Sequence, residues 1–257
     1  ELANNVISQA FKKVDFIQKE KKINFPVFLR QILVKLLKLD LSKIKKSFLL
    51  KKIAQELHFK KIAEAVFDQE AELHMIDSYL SKKSDEFIVP WHNDIGYKEI
   101  SNKEMFFNAA ELTIKQKKNK GYSKGIKFFI HLTDVTSKNG SLAIVPYSHH
   151  IVKAVTTLIL EKKIDLQLYW KLEDLRDLVL KNSVRSLLIE KIGAEKLNIF
   201  LNNSKFAEEE KKDTFKFDLE MNKGGAVIFD DLCVHRGSMP SKQNRLVLRY
   251  LYCRKIN

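Results

Sequence analysis

The sequence predicts an α+β chain, with an antiparallel β core, helices laid over its outside and a helical insert. Three observations carry that prediction. The first 71 residues repeat apolar positions every three or four residues. Residues 72–150 and 213–257 consist of short alternating or apolar runs between turn signals. Residues 151–212 return to helical spacing. Helices and strands arriving in blocks suit an antiparallel sheet covered by helices better than a parallel one. With no internal repeat, low-complexity tract or Pro/Gly-rich linker, the 257 residues are expected to form a single domain.

The elements follow in order. "VFLRQILVKLLKLDLSKIKKSFLLKKIAQEL" aligns Phe28, Ile32, Leu33, Leu36 and Leu37 along one helical stripe. A second start lies at "DLSKIKK", where Asp40 or Ser42 can cap. "HFKKIAEAVFDQEAEL" continues the period. These stripes fit core-facing helices. From about residue 72 the period changes, and "ELHMIDSYL" and "EFIVPWHND" are expected as short strands. "GIKFFIHLTDV" fits a buried strand, then the turn "TSKNGS" leads to a second strand, "LAIVPYS". Asn139-Gly140 is the turn signal. "LQLYWKLEDLRDLVLKN" is helical in spacing, and "DTFKFDLEM", "GGAVIFDDLCVH" and "RLVLRYLYCRK" close the chain as strands.

Composition narrows the partners. The net charge of +14 comes from 46 basic against 32 acidic residues. Lysines outnumber arginines 39 to 7 and are spread along the chain. Nucleic-acid readers gather basic groups on one surface and favour the bidentate arginine fork, so solvated helix faces explain the charge better. Glycine and proline together number 12, under 5% of the chain, against roughly 12% in an average protein. That scarcity, with the lysine excess, fits the coding bias of an AT-rich genome. No apolar run approaches the roughly 18 residues of a membrane span, and the first residues lack the layout of a signal peptide. Two cysteines exclude a disulfide framework and a cysteine-based zinc site, and a reducing, cytoplasmic compartment is expected.

The chemistry begins at "VPWHND". In an extended strand His92 and Asp94 share a face. Alone, such a pair is common, and a structural histidine bonded to a nearby aspartate explains it. His235, ending "GGAVIFDDLCVH", supplies a third group. Two imidazoles and one carboxylate leave three positions open on a metal, which suits non-haem Fe(II) with an organic co-substrate and dioxygen. Ten residues on, Arg245 opens the last strand and shares a face with Val247, Arg249, Leu251 and Cys253. Arginines on an apolar face are costly unless they meet carboxylates. Four of the seven arginines (236, 245, 249 and 254) fall in the last 22 residues. Their planar fork matches a carboxylate of 2-oxoglutarate.

From about residue 72 to 255 the sequence resembles the phytanoyl-CoA dioxygenase family of Fe(II)/2-oxoglutarate-dependent oxygenases, with the helical insert only loosely comparable. "VPWHND" is similar to the family's apolar-Pro-x-His-Gln-Asp segment. "FFIHLTDVTSKNGSLAIVPYSHH" is similar to its strand–turn–strand stretch ending Val-Pro-Gly-Ser-His, and "GGAVIFDDLCVHRGS" to the segment bearing the distal histidine. The resemblance implies a double-stranded β-helix, or jelly-roll, core. It implies His92, Asp94 and His235 as catalytic iron ligands and Arg245 as the clamp on 2-oxoglutarate. Asn93, Ser238 and Arg249 are further co-substrate candidates, and His149 matches the family's Ser-His position. Four departures stand out. Asn93 replaces a frequent glutamine, Tyr147 replaces the glycine of Pro-Gly-Ser-His, and the Lys-Pro-Pro often found near "HMIDSYL" is missing. The spacing from His235 to the arginine is one residue short, which keeps Arg249 open as the alternative clamp.

The reaction implied is hydroxylation of an unactivated C–H bond in a small, anionic, organic or carrier- or CoA-linked substrate. Dioxygen and 2-oxoglutarate are consumed, and succinate and carbon dioxide are released. Asp94 places a carboxylate where halogenating relatives have a small residue, so hydroxylation, desaturation or cyclisation is expected rather than chlorination. Tyr122, Tyr147, Lys127 and Arg236 are pocket candidates from their places near motif ends, and His131 is expected as a hydrogen-bonded core histidine. Three competitors remain. A nucleic-acid-directed oxidative demethylase of the same broad fold would bind DNA or RNA with strong salt dependence. A cupin-like metalloenzyme without 2-oxoglutarate leaves Arg245 unexplained, and a non-catalytic binding protein needs no set of three ligands.

Overall fold

Residues 50–86, 88–95, 122–209 and 216–255 are described in a computed structural model. The chain divides into two compact units, Glu1–Phe59 and Lys60–Asn257. In the first, residues 50–56 are helical and bury Leu50, Ile53 and Ala54. The remainder of the expected N-terminal helices, with Asp40 and Ser42, lies outside the described residues.

Helix α1 (Phe59–Phe67) stops earlier than the apolar spacing of "HFKKIAEAVFDQEAEL" suggests. Asp68 takes a left-handed φ of 53°, which ends the helix, and β1 (Ala71–Ser81) begins three residues later. The other strands are β2 (Val89–His92), β3 (Tyr122–His131), β4 (Leu142–Ile144), β5 (Asp218–Leu219), β6 (Ala226–Asp230), β7 (His235–Gly237) and β8 (Arg245–Lys255). Among the described residues they form two four-stranded sheets, ordered β1-β8-β3-β6 and β2-β7-β4-β5, with antiparallel pairing throughout. The chain changes sheet at nearly every connection. That winding is the double-stranded β-helix.

Phe129, Val227, Phe229 and Val247 of the first sheet meet Leu142 of the second, with Cys233, in the core between them. This contact identifies the inner faces. Strand alternation then turns Arg245 and Arg249 inward with Val247, and Lys127 and His131 inward with Phe129. The β1–β8 register sets Ser81 opposite Arg245, Tyr79 opposite Val247 and Asp77 opposite Arg249. A larger cluster covers the outer side of the second sheet, where Ala143, Val145 and Val234 pack against the helical insert. The insert comprises α2 (Ser148–Leu160), α3 (Leu172–Leu180), α4 (Asn182–Ile192) and α5 (Ala194–Glu209).

Residues 165–170 are not helical, although their spacing suggested it. Their backbone serves β2 instead: Asn93 N donates to Trp170 O at 3.0 Å, and Lys171 bridges to His92. The Asn139-Gly140 turn is present, with Gly140 at φ +74°. A β-carbon there would lie 2.7 Å from Arg245 Cδ, so the glycine lets the turn pack directly on that arginine's stem. Among the described residues no helix is long and apolar enough to cross a membrane.

Candidate metal centre

Strands β2 and β7 pair with His92 opposite His235, which brings the two imidazoles together with ring centroids 4.5 Å apart. Each ring is aimed by its own strand. His92 Nδ1 lies 2.7 Å from Pro90 O, and His235 Nδ1 lies 2.9 Å from Cys233 O. A carbonyl only accepts, so each Nδ1 carries a proton and Nε2 is the nitrogen left to face a metal. Both Nε2 atoms face Asp94, at 3.7 Å from Oδ1 for His92 and 3.9 Å from Oδ2 for His235. One ligand atom from each of the three residues falls within 4.8 Å of the others. Two neutral nitrogens and one carboxylate on one side are the donor set that suits divalent iron.

The charges favour that use. Burial, chiefly, pushes the His235 imidazole down to about 3 despite the pull of Asp94, so it stays neutral and able to ligate. Burial opposes ionisation of Asp94, but the charge and hydrogen bond of Lys127 outweigh it and hold the carboxyl at about 2. Lys127 reaches in from the inner face of β3. It bonds to Asp94 and, at 2.9 Å, to Asp231. Burial disfavours its ammonium, yet Asp231 and Asp94 more than compensate and raise its pKa above the ordinary value.

The two candidate clamps differ in their partners. Arg249 gives Nε to Asp77 Oδ1 at 2.8 Å and Nη2 to Asp77 Oδ2 at 2.6 Å, with Tyr79 under its guanidinium at 5.0 Å. Arg245 is buried, and its Nε has no hydrogen-bond partner among the described residues. Burial and the nearby Arg249 charge pull its pKa down to about 10. A buried donor left unpaired costs about 1–3 kcal/mol. Among the described residues Ser81 Oγ and both ring nitrogens of His131 are also without partners. His131 is therefore buried but not hydrogen-bonded as expected, because the neighbouring backbone groups are committed to the strand ladder.

Other predicted residues turn elsewhere. Asn93 donates through Nδ2 to Tyr169 O at 2.6 Å and Trp170 O at 3.2 Å, tying β2 to the insert. Arg236 and Ser238 alternate with His235 and Gly237 and take the opposite face of the strand. There Arg236 donates to Asp218 Oδ2 at 2.8 Å, Ser238 bonds to Asp218 and Arg236, and the guanidinium lies 4.7 Å from the Trp91 ring. His149 stacks on His150 at 4.0 Å, and Tyr147 is exposed at the start of α2 with φ +63°. The Tyr122 side chain lies outside the described residues. Asp77, Asp218 and Asp231 were missed by sequence reasoning. The available signal was each carboxylate's place beside or within a strand rich in apolar residues, the acidic counterpart of the arginines.

A family model described as phytanoyl-CoA dioxygenase (PhyH) matches residues 7–246. A comparison with curated proteins finds no match. Among solved structures the chain is similar to EvdMO1, at 15% identity and a TM-score of 0.39 over 76% of this chain and 30% of that one. It is similar to AviO1 from Streptomyces viridochromogenes Tue57, at 16% identity and a TM-score of 0.39 over 76% and 56% of the two chains. HygX from Streptomyces hygroscopicus, solved with nickel, 2-oxoglutarate and hygromycin B bound, gives 14% identity and a TM-score of 0.42 over 80% and 65%. The chain thus spans from 30% to 65% of the length of these three proteins.

Proposed function

The chain belongs to the phytanoyl-CoA dioxygenase family, and from that premise we propose that it is a non-haem Fe(II)- and 2-oxoglutarate-dependent dioxygenase. The observation that carries this reading is the convergence of His92 Nε2, His235 Nε2 and the Asp94 carboxylate. Those three would hold iron. Arg245, inward-facing and without a carboxylate partner among the described residues, would take the far carboxylate of 2-oxoglutarate. Iron bound there with 2-oxoglutarate and dioxygen would supply the oxidation of a C–H bond, with release of succinate and carbon dioxide.

The protein's own share is orientation and exclusion. Pro90 and Cys233 carbonyls fix the imidazole rings, which limits the directions a metal can occupy. Lys127 steadies Asp94 and balances charge that the metal would otherwise meet alone. Phe229, whose ring lies 5.4 Å from that of His235, helps keep water from the inner side. The product is expected to be hydroxylated, desaturated or cyclised.

The net charge of +14 favours an anionic substrate. Dispersed lysines favour a small, carrier-linked or CoA-linked organic acid over a nucleic acid. Two free, buried cysteines fit a reducing, cytoplasmic compartment. The test is an anaerobic titration with Fe(II) and then 2-oxoglutarate, expected to saturate at one of each per chain. A screen of organic acids then reads substrate-dependent succinate release. Wild-type protein that binds neither ligand would end this reading, and tight, salt-sensitive binding of DNA or RNA would favour the demethylase instead.

A further inference from the structure

Four polar atoms without partners sit at neighbouring positions on the inner face of the first sheet: Ser81 Oγ, Arg245 Nε and both nitrogens of His131. They come from three adjacent strands, β1, β8 and β3. Ser81 stands directly opposite Arg245. His131 stands opposite Val247, the next residue along the face that carries Arg245. Diagonal neighbours on a sheet lie roughly 7–8 Å apart, within the span of an arginine side chain. The Arg245 charge acts on His131, adding to the burial that pushes its pKa down to about 3, so the ring is neutral. On the other side, Gly140 rests against the Arg245 stem and limits its freedom.

A neutral imidazole has one N–H and one lone pair, a hydroxyl can donate or accept, and a guanidinium only donates. Three donors from three strands lack one common acceptor. A carboxylate is the group that accepts from all of them, and none is paired with these atoms among the described residues.

We propose that His131, assisted by Ser81, is a second hold on the far carboxylate of the co-substrate beside Arg245, and that it makes the site select a 2-oxo diacid over a 2-oxo monoacid. This inference rests on the reading of the site as a 2-oxoglutarate site, and it assigns residues that the family motif does not supply. A monoacid would satisfy the metal end and leave the imidazole, hydroxyl and guanidinium unpaired. Such a site rejects the analogue that lacks the hydrogen-bonding group far more strongly than an apolar pocket could.

The experiment uses the whole chain loaded anaerobically with Fe(II), titrated separately with 2-oxoglutarate and with 2-oxobutyrate. Binding is read as heat and as the visible absorption that a 2-oxo acid produces on iron. His131→Phe is expected to weaken 2-oxoglutarate about tenfold to a hundredfold while leaving 2-oxobutyrate unchanged. His131→Gln, which keeps a donor, should recover part of the loss, and Ser81→Ala should show a smaller loss with the same selectivity. Unchanged 2-oxoglutarate affinity in the His131 variants, or an equal loss for both acids, would overturn the proposal. Wild-type protein that binds iron but neither acid is a different pattern, and it would remove the 2-oxoglutarate reading itself. If His131→Phe does not fold, the glutamine and Ser81→Ala variants decide the question by the same ratio.

Discussion

Arg245 and Arg249 carry the same chemistry on the same strand face, and their surroundings divide their work. Arg245→Ala should weaken 2-oxoglutarate binding severely, since truncating one partner of a buried charge pair costs about 2–5 kcal/mol. Arg249→Ala should leave that affinity nearly intact and instead destabilise the fold by about 1 kcal/mol, a small value because the pair with Asp77 is about one-third exposed. Calorimetric titration and urea denaturation give the two rankings, and the reverse order would move the clamp four residues along β8. His235→Ala should abolish iron binding without loss of the helical circular dichroism signal. Alternation put both arginines on one face but left them equal, because the residue that separates them, Asp77, is 172 positions away and arrives only through strand register. The three candidate metal ligands were legible for the opposite reason. His92 and Asp94 are two residues apart, and His235 ends a recognisable strand. Ser238 lies an odd number of residues from His235, so alternation already set it against the ligand face, which its nearness in sequence concealed.

At the scale of elements, β2 is held at its end by a passage of backbone that its own sequence does not announce. Leu166, Tyr169 and Leu172 are spaced as a helix would space them, yet residues 165–170 stay non-helical and give the Tyr169 and Trp170 carbonyls to Asn93. Local periodicity described the β blocks and most of the insert. It failed here because a long-range partner outweighed a weak local preference. Asn93→Ala would remove the side-chain amide's bonds to the Tyr169 and Trp170 carbonyls, at about 0.5–1.5 kcal/mol each. Hydrogen exchange should quicken across residues 165–171, and iron affinity should fall as the end of β2 loosens. Unchanged exchange in that segment would show that packing, not the amide, holds it. Within the described part of "DTFKFDLEM", residues 216–221, the strand covers Asp218 and Leu219 for a related reason: Asp218 is drawn to Arg236 and Ser238, which only the folded chain brings near.

For the molecule as a whole, these buried groups predict how it meets acid. His131 and His235 have pKa values near 3 when folded, against an ordinary value of about 6.5. Below about pH 6.5 the unfolded chain takes up protons that the folded one refuses, so stability is full above that pH and falls as pH drops toward 3. Each group contributes a slope of about 1.4 kcal/mol per pH unit within that window. Asp94, held at about 2, adds loss in the same direction at still lower pH. Urea denaturation of the metal-free protein at a series of pH values should show this decline, and His131→Gln should remove about one proton from the slope. A flat profile between pH 7 and 5, marked by approximate midpoints of about equal urea, would show that the histidines are not neutral inside. Arg236 answers to Asp218 and Arg249 to Asp77, which leaves Arg245 as the inward positive charge with no carboxylate of its own among the described residues. The same charge should also attract small anions that compete with the co-substrate. Citrate, sulfate or phosphate carried through purification would settle there, and a preparation kept in them would seem inert. Dialysis into dilute chloride is then the step on which seeing the protein work depends.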